Sequence, residues 1–181
     1  MADTEKLTIL TAALDDVPAI VEIYNQSVMV NTASADCEPT TLEARLAWFT
    51  LLTELELPIL VAKHGQEVVA WGALNPYSSK SGYRFTADDS IYVDLAWTGK
   101  GLGKKLLSAL IEAGKARGLH SIVASIATEN VVSVRLHEQL GFVICARYSE
   151  LFFKFDRWLD VVHMQLMLDR LDAAKIAFDH T

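Results

Sequence analysis

Ile91-Tyr92-Val93-Asp94-Leu95-Ala96-Trp97-Thr98-Gly99-Lys100-Gly101-Leu102-Gly103-Lys104-Lys105 reads as a strand, a glycine loop and the start of a helix. Leu102, Leu106, Leu107 and Leu110 recur at the spacing of one helix face. A turn from strand into helix gathers backbone N–H groups at a helix N-terminus, where anions bind. Glycines there permit close approach and positive φ. Lys100, Lys104 and Lys105 cluster at this helix start, where the macrodipole disfavours cations by about 0.3–1 kcal/mol each. An anion docked between them would explain that placement; a solvated turn with surface lysines explains the loop equally well. The spacing is G-x-G-x-G, which is neither a Walker loop nor the G-x-G-x-x-G dinucleotide fingerprint.

Upstream, Leu7 to Thr11 reads as a strand, and Asp15, Asp16 and Pro18 signal a helix start. Val17, Ile20, Val21, Tyr24 and Val28 follow at helical spacing, and a polar stretch from Asn31 to Thr41 separates them from a second helix over 42–55. Ile59 to Ala62 and Glu67 to Leu74 form a hairpin about His64-Gly65-Gln66, followed by a loop over 75–82 and a strand over 84–95. Beyond the central helix, which Gly118 ends, Ser121 to Ala127 is a continuous apolar strand of the kind buried on both faces. Asn130 starts a short helix that Gly141 stops; 142–155 and 158–168 are the last strands. The order is α/β, with helices covering a mixed sheet. A single domain spans 1–168, and 169–181 is a tail expected to form a short helix.

The 181 residues suit one core; they are 51% hydrophobic and 22% charged, with net charge −7. That charge argues against a nucleic-acid partner and against an anionic membrane surface. No apolar run is long enough to span a bilayer, and Met1 to Leu10 has no signal-peptide character. Cys37 and Cys145 fit no metal-ligand spacing and read as reduced thiols, so no metal is expected and the setting is cytoplasmic.

Downstream of the glycine loop stands a second pattern, Asn130-x-x-Ser133-x-x-Leu136-His137-x-x-Leu140-Gly141-Phe142. Asn130 and Ser133 lie one helical turn apart and can face one ligand; an amphipathic helix with an N-cap Asn would look the same. Taken with the glycine loop, this pattern resembles the GNAT superfamily of acyl-CoA-dependent N-acetyltransferases over about Leu7 to Leu168. Ile23-Tyr24-Asn25, Glu38-Pro39-Thr40, Tyr83-Arg84-x-Thr86, Val134-Arg135-Leu136-His137-Glu138 and Lys154-Phe155-x-Arg157-Trp158-x-Asp160-Val161-Val162 are similar to the phosphinothricin, methionine sulfone and methionine sulfoximine acetyltransferase type.

That resemblance implies a mixed seven-stranded sheet, splayed in its middle and flanked by about four helices, and commonly a homodimer. It implies acetyl-CoA as cofactor, with pantetheine along Ile91, Tyr92 and Val93. The diphosphate would sit on Gly99, Lys100, Gly101, Leu102, Gly103 and Lys104, and Asn130 and Ser133 would contact the cofactor. Amine acylation needs a base, a donor to the carbonyl oxygen and a proton for the departing thiolate. The resemblance places the base at Asp88, where the family type carries Glu, and the oxyanion donor at an N–H near Tyr92 or Val93. It aligns His137 with the residue that protonates the thiolate, although a packed structural histidine fits that position as well. Neighbouring strand residues face opposite ways, so Asp88 and Ser90 should share a face that Asp89 does not. Ser78, Ser79, Lys80, Arg84, Asp88, Asp89 and Ser90 are the expected substrate contacts, with Lys80 or Arg84 holding a carboxylate or phosphinate. Ala35, Phe152, Asp156 and Thr98 depart from the family pattern. The expected acceptor is a small amino-acid-like amine; a polyamine, an aminoglycoside, a protein N-terminus, or a non-catalytic acyl-CoA-binding role are the alternatives.

Overall fold

The structure is a computed structural model that describes residues 6–168; the tail helix expected over 169–181 lies outside the described residues. In chain order the elements are β1 (Leu7–Thr11), α1 (Val17–Val30), α2 (Leu42–Glu54), β2 (Ile59–His64), β3 (Glu67–Pro76), β4 (Thr86–Val93), α3 (Leu102–Ala116), β5 (Ser121–Ala127), α4 (Val131–Gln139), β6 (Val143–Lys154) and β7 (Arg157–Met167). They build one seven-stranded mixed sheet in the order β1-β2-β3-β4-β5-β7-β6. Every pairing is antiparallel except β4 with β5. Among the described residues, no helix is long and apolar enough to cross a membrane.

Strand alternation divides the core in two. On β4, Tyr92 lies across from Trp71 of β3 and packs with Val17, Ile20 and Leu52 of α1 and α2. The opposite face carries Ala87, Leu74, Ala124 and Ile122 against the leucine stripe of α3. That stripe, Leu102, Leu106, Leu107 and Leu110, is buried as its spacing predicts.

Element limits depart from the sequence expectations where turn chemistry intervenes. The strand expected over 84–95 is only Thr86–Val93. Arg84 ends a 3-10 turn over Ser81–Tyr83, and Asp94 Oδ1 accepts the Ala96 N–H (2.8 Å) to start another at Leu95. β3 runs to Pro76, so the loop before β4 starts later than expected. Phe155, expected in a strand, forms with Asp156 a two-residue turn at φ 53 and 56. Such a hairpin turn favours glycine or Asn, and neither is present. At the start of α1, Asp16 leaves its own helix uncapped. It accepts the Ala13 N–H (2.9 Å) and pairs with Lys63 Nζ (2.6 Å) on β2.

Gly72 of β3 lets α3 lie close on the sheet. A Cβ there would stand 2.9 Å from Leu110 Cδ1 and 3.0 Å from the backbone oxygen of Ser90. Because the second neighbour is backbone, Gly72→Ala should cost about 1–3 kcal/mol. A lowered urea-unfolding midpoint is the expected result.

Candidate active site

The central parallel pair separates soon after it forms. β4 and β5 are in register only at Thr86–Ser121, Ala87–Ile122 and Asp88–Val123. From there β4 stays with β3, while Ala124 to Ala127 of β5 stays with β7. Between Asp89 and Val93 the β5-facing edge of β4 has no strand partner among the described residues. The opening holds a cleft of about 380 Å³, with Ile91, Tyr92 and Val93 on one wall and Ala124 to Ala127 on the other. Buried backbone N–H and C=O groups need partners. An extended, amide-bearing ligand would supply them as an added strand does.

Across this opening stands the glycine loop. Gly99 and Gly101 both take φ +75, and Gly101 is the N-cap of α3. The left-handed turn aims the first N–H groups of α3 at the cleft rim, where Gly99, Gly101, Leu102, Gly103 and Lys104 line the cavity. Gly103 also permits close helix packing, since a Cβ there would come 3.1 Å from Leu136 Cδ1 of α4. Lys100 stands apart from the lining, its ammonium 4.0 Å from the Trp97 ring centroid. Lys104 Nζ donates to Gln139 Oε1 (3.1 Å), tying α3 to α4. Asn130 caps α4 by accepting the Ser133 N–H (3.2 Å), and both residues line the cleft. The residues present therefore fit a diphosphate with an amide-bearing arm.

Three titratable groups meet at the point where the strands part. Asp88 and Ser90 share the α1/α2 face; Asp89 turns to the α3/α4 face, as alternation requires. Burial, and then the negative charge of Asp89, push the Asp88 carboxyl up to about 7. Asp89 Oδ2 lies 3.1 Å from His137 Nε2, and His137 Nδ1 lies 2.7 Å from the Ser133 carbonyl oxygen. Burial alone would lower the His137 pKa. The Asp89 hydrogen bond and charge, helped by the Ser133 carbonyl, outweigh it, and the net shift is upward.

The remaining expected contacts are not drawn into the cleft. Ser78, Ser79, Lys80, Arg84 and Asp88 are all absent from its lining, whereas Asp89, Ser90 and His137 belong to it. Arg84 is exposed, donates to Ser81 O (3.2 Å) and stacks on Phe85 at 4.4 Å. Two further groups of residues shape the cleft without a clear signal in the sequence. Asn31, Thr32 and Ala33 line the cleft although their stretch looks like a plain connector. Trp48 Nε1 donates to Asn75 Oδ1 (2.8 Å), and Asn75 Nδ2 donates to Ser90 Oγ (3.1 Å). The only sequence trace of this relay is a polar residue inside an apolar strand.

The acetyltransferase (GNAT) family pattern matches residues 18–142. An L-methionine sulfoximine/L-methionine sulfone acetyltransferase of Salmonella typhimurium is 40% identical over 163 residues, covering 90% of this chain and 95% of the relative. A phosphinothricin N-acetyltransferase of Alcaligenes faecalis is 35% identical, covering 87% of this chain and 81% of its own length. A solved acetyltransferase structure from Salmonella typhimurium, with its cofactor acetyl-CoA, superposes with a TM-score of 0.89 at 40% identity over 91% of this chain and 95% of its own.

The raised Asp88 pKa fixes the sign of a stability effect. A carboxyl that titrates near 7 when folded and near its ordinary 3.8 when unfolded binds its proton more tightly in the folded state. Its stabilising contribution is full below pH ~4 and is lost as the pH rises through ~7. Asp88→Asn should therefore raise the Tm at pH 8 by on the order of 10 °C, the equivalent of a few kcal/mol for a chain of this size. At pH 4 the two melting curves should nearly coincide, as differential scanning fluorimetry would read.

Proposed function

Because the chain belongs to the acetyltransferase (GNAT) family, we propose that it moves the acetyl group of acetyl-CoA to the primary amine of a small amino-acid-like acceptor. The acceptor class is methionine sulfoximine, methionine sulfone or phosphinothricin, as in the relatives' names. The observation that carries this reading is the unpaired edge of β4 facing the N-terminus of α3 across one cleft.

The cofactor, when bound, supplies the thioester that makes the acetyl group transferable. Ile91 to Val93 would pair with its amide-bearing arm, and the first N–H groups of α3, with Gly99 and Gly101 forming the turn, would hold the diphosphate. Asn130 and Ser133 would contact the cofactor from α4. An N–H near Tyr92 or Val93 is the donor to the developing oxyanion. Asp88 is the base: an amine must lose a proton before it attacks, and a carboxyl titrating near 7 is matched to that task. Asp88 sits at the last paired position before the opening, and a water relay would carry the proton from the cleft to its carboxylate. Lys80 or Arg84, on the loop before β4 that also carries Ser78 and Ser79, would hold a substrate carboxylate or phosphinate.

Two coarser features extend the reading. β6 is a sheet edge whose hairpin with β7 exposes Leu151, Phe153, Phe155 and Trp158. An apolar edge of this kind needs a cover, and a second copy in a homodimer is the occupant proposed. Both cysteines are free and exposed, which suits a cytoplasmic setting where thiols stay reduced.

Release of free CoA, measured against amino-acid analogues, polyamines and aminoglycosides, tests the substrate class. Turnover is expected with methionine sulfoximine, methionine sulfone or phosphinothricin, and Asp88→Asn should lower kcat/KM by about 10²–10⁴-fold. Acetylation of polyamines alone would contradict the proposed acceptor.

A further inference from the structure

The contact between Asp89 and His137 joins two residues far apart in the chain at the position where β4 leaves β5. Their side chains are only 3% and 5% exposed, respectively. A carbonyl oxygen can only accept, so His137 Nδ1 donates to Ser133 O. Nε2 faces a carboxylate oxygen, so the proton between them completes an imidazolium–carboxylate pair. The ring then has no N–H left for a third group. Phe142 closes one side of it, edge-on at 4.9 Å between centroids. Asp89 Oδ1 is buried with no hydrogen-bond partner, so the negative charge of the pair is poorly satisfied from other directions.

We infer that Asp89 and His137 are a positioning pair: they pin α4 to β4 where the sheet opens, and their charges set how readily Asp88 takes a proton. The inference rests on the reading of Asp88 as the base. Consecutive α-carbons are about 3.8 Å apart, so the two carboxylates act on each other although they face opposite ways. The surroundings add little competing charge. β3 and β5 set Asn75 and Val123 beside Asp88, and neither titrates. α1, α2 and the loop between them bring Tyr24, Arg45 and Asp36 to that face, where Arg45 lies over the Tyr24 ring and the Tyr24 hydroxyl donates to Asp36, so these groups are engaged with one another. On the other face, α3 brings Lys104, whose ammonium is bound to Gln139. Asp89 is also the charge that acts on His137. Loss of the Asp89 charge must make Asp88 more acidic. Loss of the His137 cation leaves Asp89 uncompensated and must make Asp88 less acidic. A pair that served packing alone would move neither.

The test is the pH profile of kcat/KM for wild type, Asp89→Asn and His137→Gln. The acid limb should move down by roughly half a pH unit or more in Asp89→Asn and up by a similar amount in His137→Gln. Reduced rates with an unmoved limb, or shifts in one shared direction, would overturn the inference. Should either variant fail to fold, ¹⁵N NMR of the wild type decides: His137 should carry protons on both nitrogens at pH 7, and a neutral ring there would overturn it. That spectrum needs no turnover. A wild type that acetylates nothing would refute the functional reading, while the ring's protonation would still judge the pair.

Discussion

The parting of β4 from β5 after three paired residues is the constraint on which the rest depends. Parallel strands are ordinarily buried and fully hydrogen-bonded, and leaving an interior edge unpaired costs free energy at each exposed N–H or C=O. This molecule keeps the opening because both walls are held from outside. β3 holds β4 through seven registered positions, and β7 holds β5 along its whole length. The strands are therefore rigid where they are useful and unsatisfied only toward the cleft. A ligand that completes the edge gains bonds for which the protein has already lost the conformational entropy.

Electrostatics follow from the same geometry. The chain is acidic overall, yet the rim opposite β4 is the positive end of α3, reached through two glycines in a conformation that other residues adopt with strain. Deeper in, the Asp89 and His137 side chains are almost fully buried, and Asp88 is half-buried on the other face of β4. Low polarity there makes a carboxyl reluctant to ionise and a charge pair strong. Under the proposed function the arrangement separates two tasks: anion binding by fixed backbone dipoles at the rim, and proton handling by side chains beside the point where the strands part.

Much of this was legible in the sequence because local chemistry wrote it there. The leucine stripe of α3, the apolar run of β5 and the Gly99–Gly103 loop each follow from periodicity or from a backbone requirement. The capping role of Asn130 could be read directly. The splay could not: the residues on both sides of Asp88 look like ordinary strand, and only the family resemblance implied the opening. Asp89 and His137 lie 48 positions apart, so their contact depends on how α4 packs and has no local signature. The aromatic, β-prone neighbours of Arg84 suggest a strand, whereas backbone bonds from Tyr83 and Arg84 to Lys80 and Ser81 curl that segment into a turn. Asn31 to Ala33 reached the cleft unannounced, since a polar connector gives no sign of which surface it crosses.

On the proposed function, the open edge of β4 and the N-terminus of α3 jointly hold an acyl-CoA. Backbone amide hydrogen exchange with and without CoA tests it most directly. Slowed exchange is expected at Ile91–Val93 and at Gly99–Lys104 together, with little change in α1 and α2. Unchanged exchange at both segments, or protection confined to the α1/α2 face, would contradict it.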